Sequence, residues 1–236
     1  MRWCIIIDRP IFSEILWEWR AFGVIDPNSL HRISSLPKKH NRSGNLKDDY
    51  LWYPGCGVNI KFRGQGLRIK RQISETSDGS IKQWITEAYS FPISLELFNM
   101  ILLEFKIKSP QIEREVEKEI QNRQQLLSIL QFASAFQIIT VDKHREQYSW
   151  PNNHRDTQTK EVMIEVSTIH SPEPLTSISI EHQDLDRVNN ILKHLQLPSK
   201  SMNVLSYLDC LRFWASGKKL GKVWRLYLYR FIWQNS

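Results

Sequence analysis

The run LWEWRAFG, residues 16–23, sets Glu18 and Arg20 between and after Trp17 and Trp19. Extended backbone sends successive side chains to opposite faces. Glu18 and Arg20 therefore share one face of a strand, and the two tryptophans share the other. The same alternation recurs along the chain. In NIKFR, Lys61 and Arg63 lie with Asn59, against Ile60 and Phe62. In LRIKR, Arg68 and Lys70 oppose Leu67 and Ile69, and in VDKHREQ, Lys143 and Arg145 share a face with Val141 and Gln147. In EVMIEVS, Glu161 and Glu165 flank Met163 while Val162, Ile164 and Val166 form the apolar side. In SISIEH, Ser177, Ser179 and Glu181 oppose Ile178 and Ile180. Strands of this kind bury one face only, so the chain must build an antiparallel sheet covered on its apolar side.

The cover is supplied by helical segments. SLELFNMILLEF has apolar residues at helical spacing, and SPQIEREVEKEIQNRQQLLSIL opens Ser-Pro and continues in helix formers. DLDRVNNILKHLQL carries Asp184 as a capping residue ahead of an i, i+3, i+4 apolar pattern, and NVLSYLDCLRFWA also reads as helical. SLPKKHNRSGNLKDD reads as a loop, and the GQG at 64–66 as a hairpin turn. No internal repeat or Gly-rich phosphate loop is present, since neither GCG nor GQG is followed by a helix pattern. The expected class is α+β: an antiparallel sheet with helices packed outside and charges on its concave or inner face.

A chain of 236 residues, 41% hydrophobic and 11% aromatic, has the material for a sizeable core. Its net charge of +7 at pH 7 points to an anionic partner without choosing among phosphate, nucleic acid and membrane surface. Cys4, Cys56 and Cys210 are odd in number and form no C-x-x-C, which fits structural thiols in a reducing cytoplasm. The opening MRWCIIIDRP is too short for a signal peptide or a membrane span, so a cytoplasmic protein is expected. The closing GKKLGKVWRLYLYRFIWQNS is basic and aromatic. It reads as an amphipathic helix or a last strand docked on the sheet, with a membrane-surface helix or nucleic-acid patch as the alternative.

Charge is segregated by strand. Lys61 and Arg63, Arg68 and Lys70, and Lys143 and Arg145 are basic pairs, while Glu18, Glu161, Glu165 and Glu181 lie on other strands or between them. A solvated face usually intersperses its signs. Segregation suggests instead that cations grip an anion while carboxylates hold a metal.

The order of these motifs resembles the CYTH, or triphosphate tunnel metalloenzyme, superfamily, whose members include inorganic and thiamine triphosphatases and some adenylate cyclases. That pattern runs from an E-x-E-x-K strand through R-x-R and Lys-bearing strands, a helical segment and a K-x-R strand to acidic strands. Here LWEWR, KFR, RIK, KHR, EVMIEV and SIE follow the same order across roughly residues 14–210. The resemblance implies one domain over 1–236, its core about 14–210 and a C-terminal extension at 211–236, folded as a closed antiparallel β-barrel. It implies that Glu18 and Arg20 are catalytic and that Lys61, Arg63, Arg68, Lys70, Lys143 and Arg145 bind phosphate. It further implies that Glu165, Glu181 and Glu161, with Glu18, hold Mg²⁺ or Mn²⁺. The ligand would be a triphosphate- or polyphosphate-bearing anion, its terminal phosphate hydrolysed if the metal site is intact.

Three positions depart from the pattern. Leu16 stands where the first Glu is expected, Arg20 replaces the Lys, and Ser179 replaces an acid; Glu14 lies on the same face as Leu16. Since Mg²⁺ wants hard oxygen ligands, binding is better supported than turnover, and the alternative is a non-catalytic module for polyphosphate, nucleotide or RNA. Two enclosed cations about 8 Å apart repel by roughly 2 kcal/mol at an effective dielectric of about 20. A lumen holding seven cations against four acids would be strained without an anion.

Overall fold

A computed structural model describes residues 9–107, 119–151 and 161–220. The chain runs β1 (Phe12–Gly23), α1 (Pro27–Ser34), β2 (Gly44–Trp52), β3 (Val58–Arg63), β4 (Gly66–Glu75), β5 (Ile81–Tyr89), β6 (Ile93–Ser94) and α2 (Leu95–Glu104). It continues with β7 (Glu119–Ile120), α3 (Arg123–Leu130), β8 (Gln137–Trp150), β9 (Val162–Ser171), β10 (Leu175–His182), α4 (Leu185–Leu195), β11 (Met202–Val204) and α5 (Tyr207–Ala215). The main sheet has the order β10-β9-β8-β2-β3-β4-β5-β1-β11, and β10 also pairs with β1. That last pairing closes eight strands into an antiparallel barrel, so the expected α+β barrel with helices is the fold. Closure removes the exposed edges an open sheet would carry. Among the described residues, no helix is long and apolar enough to cross a membrane.

By internal contact the chain divides into two compact units, each described separately. Among the described residues, the first draws on 9–14, Asp48–Gln72, 85–107 and 119–139. Within it, Ile60 pairs with Ile69 and Phe62 with Leu67 across β3 and β4, and all four are buried. Leu97, Phe98, Ile101 and Leu102 of α2 are buried as well, and Arg71 ties β4 to α2 through Glu104 (2.8 Å). Arg71 also pairs with Glu87 on β5. The guanidinium of Arg123, at the start of α3, pairs with Asp49 and lies over the Phe62 ring.

Among the described residues, the second unit draws on Ile15–Lys47, Ile73–Trp84, 140–151 and 161–220. Its core joins Trp19, Ala21, Ile164, Val166, Ile178 and Ile180 from the strands to Ile33 of α1 and Val188, Ile191 and Leu195 of α4. Every strand residue in that set has the parity assigned above to the apolar face. Asp184 caps α4 as expected, its side chain accepting from the Asp186 N–H (2.8 Å).

Local departures have identifiable causes. The stretch read as a loop is extended from Gly44 onward, because Asp48–Leu51 pair with β3. The helix expected over 109–130 does not extend through 119–122. Glu119 and Ile120 pair with β6, and Asn122 then caps α3 by accepting from the Gln125 N–H (3.0 Å). NVLSYLDCLRFWA begins as strand β11, paired with Ala21–Gly23, and turns helical only after Ser206 and Asp209 form a capping box. Residues 221–236 of the basic aromatic segment lie outside the described residues.

The GQG turn is a two-residue hairpin whose first central residue, Gly64, has φ 60°. A positive φ at that position belongs to a type II′ turn. No atom lies within 4 Å of where a Cβ on Gly64 would sit, so Gly64→Ala meets backbone strain without a clash. The expected cost is about 1–2 kcal/mol, read as a lower midpoint in urea denaturation.

Candidate anion-binding site

In the second unit, cross-strand register assembles a polar face. Glu18 lies opposite Glu181, Arg20 opposite Ser179, and Phe22 opposite Ser177 across β1 and β10. Ser179 in turn faces Glu165 on β9, and Glu165 faces Gln147 on β8. Glu18 directly across from Glu181 is a like-charge pair, which by itself destabilises a sheet. Arg20 resolves it. Its Nε donates to Glu18 Oε1 (2.7 Å), and Nη2 donates to Ser179 Oγ (3.0 Å) and lies 3.6 Å from Glu181 Oε1. Its Nη1 sits 3.8 Å from Glu165 Oε1 and, though buried, has no hydrogen-bond partner. The guanidinium also stacks 4.8 Å from the centre of the Tyr207 ring.

Glu165 is the second hub. Lys143 Nζ donates to its Oε1 at 3.0 Å, Ser167 Oγ to the same oxygen at 3.0 Å, and Gln147 Nε2 to Oε2 at 3.1 Å. Arg145 Nη1 approaches Oε2 at 3.6 Å, and its Nε donates to the Arg42 carbonyl at 3.0 Å. Burial alone would raise the Glu165 pKa, but Lys143, Arg20 and Arg145 overcome it and hold the carboxyl well below its ordinary 4.5. Burial likewise would lower Arg20 and Lys143, and the neighbouring glutamates raise both instead. A recess of about 60 Å³ is lined by Glu18 and Arg20 of this cluster together with Lys82, Trp84, Ser206 and Asp209.

The first unit holds its own charged face. Asp48, fully buried, accepts from Lys61 Nζ (2.9 Å) and takes a two-point contact from Arg63, Nε at 2.8 Å and Nη2 at 2.6 Å. Burial would raise the Asp48 pKa; Lys61 and Arg63 drive it far below its ordinary value. Lys61 pairs across the strands with Arg68, and Asn59 with Lys70, so the four cations share one face of β3 and β4. Lys61 Nζ also lies 4.9 Å from the Tyr50 ring centre.

Internal acids meet part of the expected cation excess. Lys61 and Arg63 share the single carboxylate of Asp48, and Lys143, Arg145 and Arg20 pair with glutamates. Asp48 escaped the sequence reading because it fell in the stretch taken as a loop; its alternation with Tyr50 was the available signal. Ser167 shares the parity of Glu165 and lies on the face where Gln147 was expected, whereas no strand parity pointed to Tyr207. Glu161 lies away from the other acids: it is exposed and pairs with Lys39.

The resemblance implies a divalent metal among these acids, and the donor set does not fit one. Mg²⁺ requires several oxygens about 2.0–2.1 Å from a common point. Here Glu18, Glu165 and Glu181 converge on a guanidinium rather than on one another, and Glu165 already serves Lys143, Ser167 and Gln147. Among the described residues, no three His, Cys, Asp or Glu side chains are placed to hold a metal ion.

No protein-family model and no curated protein matches the chain. Solved structures do. A conserved hypothetical protein of Pyrococcus furiosus aligns at 16% identity and TM-score 0.43, covering 81% of this chain and 98% of its own. A candidate adenylyl cyclase of Hippeastrum with a dominant triphosphatase activity aligns at 13% identity and TM-score 0.47, covering 87% and 97%. A candidate adenylate cyclase of Bacillus halodurans aligns at 12% identity and TM-score 0.40, covering 80% and 95%. The eight-strand closure and the charged parity of β1, β3, β4, β8, β9 and β10 are what the motif order implied. The fold is the closed antiparallel barrel that the resemblance implied. Within that barrel, the departures at Arg20 and Ser179 are one structural event, since Arg20 Nη2 bonds to Ser179 Oγ.

Proposed function

We propose that the chain binds a triphosphate- or polyphosphate-bearing anion through Arg20, Lys143 and Arg145, with Lys61, Arg63, Arg68 and Lys70 as a further set of phosphate-binding cations. The observation that carries this is the buried Arg20 Nη1, a charged donor with no hydrogen-bond partner, on a side chain that lines a recess. An unmet buried donor costs about 1–3 kcal/mol, and more when charged, so an acceptor arriving there gains more than it would at a satisfied group. A phosphate oxygen suits it, because hydrogen bonds between ions are short and strong and a guanidinium can hold two oxygens at once. Binding without turnover is proposed, since the carboxylates that would hold a metal are engaged by Arg20.

Titration calorimetry with tripolyphosphate, in the presence of a chelator, tests this. We expect saturable binding. At a ligand concentration about a hundred times Kd, the stabilisation is about 2.7 kcal/mol, a rise in Tm of roughly 5–11 °C for a chain of this size. Arg145→Gln should weaken binding by about tenfold, equivalent to about 1.4 kcal/mol. No heat and no Tm change at millimolar tripolyphosphate would end the proposal. Phosphate released in a divalent-metal-dependent way would replace it with hydrolysis, and RNA binding with a steep salt dependence in place of tripolyphosphate binding would replace it with a nucleic-acid surface.

A further inference from the structure

The cluster around Arg20 has an unusual composition for a buried site: three carboxylates and a guanidinium that touches all of them. Glu18, Glu165 and Glu181 come from three different strands, β1, β9 and β10, and each lies within 3.8 Å of an Arg20 nitrogen. Three buried or half-buried carboxylates cannot stay ionised together without a cation among them. Two kinds of cation can fill that place: a divalent metal, or a side chain that is always protonated. A lysine would be a poor substitute, because its compact ammonium can reach one or two of the acids. A guanidinium is planar and carries donors in three directions, which matches acids arriving from three strands.

We infer that the Arg20 guanidinium is a built-in replacement for a divalent cation, occupying the point where these three glutamates would otherwise meet a metal ion. The geometry behind this is specific. Arg20 Nε and Nη2 each bond on their own side, to Glu18 and Ser179, which fixes the plane of the group. The Tyr207 ring covers its face at 4.8 Å. Ser179 stands directly opposite Arg20 in the strand register, and its hydroxyl accepts from the guanidinium without adding a fourth carboxylate to the cluster. The cation is thus held by the same backbone register that brings the acids together, so its position is as reproducible as theirs. The inference is independent of phosphate binding, because its readout is a metal ion alone.

Mn²⁺ is the probe, followed by electron paramagnetic resonance of the free ion and by thermal melting. The wild-type protein should take up no stoichiometric Mn²⁺ in this cluster. Arg20→Ala should bind one Mn²⁺ at least about tenfold more tightly than wild type, and should melt higher with Mn²⁺ than without it. Adding Glu165→Gln to Arg20→Ala should abolish both gains. If Arg20→Ala folds and gains no Mn²⁺ site, the inference is wrong. If it folds only when Mn²⁺ is present, the metal has taken over the role of Arg20 and the inference stands. Should Arg20→Ala fail to fold under any condition, the wild type decides. Stoichiometric Mn²⁺ uptake by wild type that Glu181→Gln removes would show metal and guanidinium coexisting, and would overturn the replacement. Absence of such uptake, with Mn²⁺ binding gained in a milder Arg20→Gln variant, would support it, and no gain in that variant would overturn it.

Discussion

Glu165→Gln should lower stability by about 3–5 kcal/mol, because it neutralises one member of a buried ionic cluster and leaves the others uncompensated. For a chain of this size that is a fall in Tm of roughly 6–20 °C. Gln retains the shape and can still accept from Ser167 or Lys143, so the loss reports the charge and not a cavity. The pH profile supplies an independent check. The Glu165 carboxyl is held well below its ordinary 4.5 in the folded protein. Its contribution is therefore fully present above that value and is lost as pH falls through the range below it, where the unfolded chain takes up the proton first. Stability curves measured from pH 7 downward should separate wild type from Glu165→Gln at neutral pH and converge in acid. A variant within about 1 kcal/mol of wild type at pH 7, with a parallel acid limb, would show that the cluster is not the closed ionic network described here.

Asp48→Asn is the second large effect. Asp48 is fully buried and holds both Lys61 and Arg63, which are themselves partly exposed. Solvent screening of those two cations reduces the expected loss to roughly 2–3 kcal/mol, measured by urea denaturation. The Asp48 carboxyl is also depressed, so its contribution too is complete above the ordinary carboxylate range and fades in acid. The same substitution has an opposite consequence for binding. Lys61 and Arg63, released from their internal partner, become more available to an external anion. Tripolyphosphate should bind Asp48→Asn more tightly than wild type even as the protein becomes less stable. Loss of both stability and affinity would mean that Asp48 positions these cations, and that their phosphate-binding role depends on it.

Much of the barrel was legible in the sequence because period-two alternation is a local property. Trp19, Ile60, Phe62, Ile164 and Ile180 are buried on the apolar faces, and Glu18, Arg20, Lys61, Arg63 and Glu165 lie on the polar ones, as their parity required. The Asp184 cap and the Gly64 turn were equally local, since each depends on one residue and its next few neighbours. The segments that departed, 44–49, 119–120 and 202–204, became extended by pairing with other strands, which their own residues do not record.

What parity determines is the face on which a charge sits. Which charges meet is decided by register between strands far apart in the chain. Arg20 reaches Ser179 across 159 positions, and Lys143 reaches Glu165 across 22. That register is set by the packing of Ala21, Ile178 and Val166, on the opposite side of the same strands, in one core with Val188 of α4, because a one-residue slip would turn every apolar side chain away from its core. The sequence alone thus determined a chain with a charged face and a covered face. Tertiary structure decided that Lys61, Arg63, Lys143, Arg145 and Arg20 arrive already paired with acids, with Arg20 at the point where three glutamates converge.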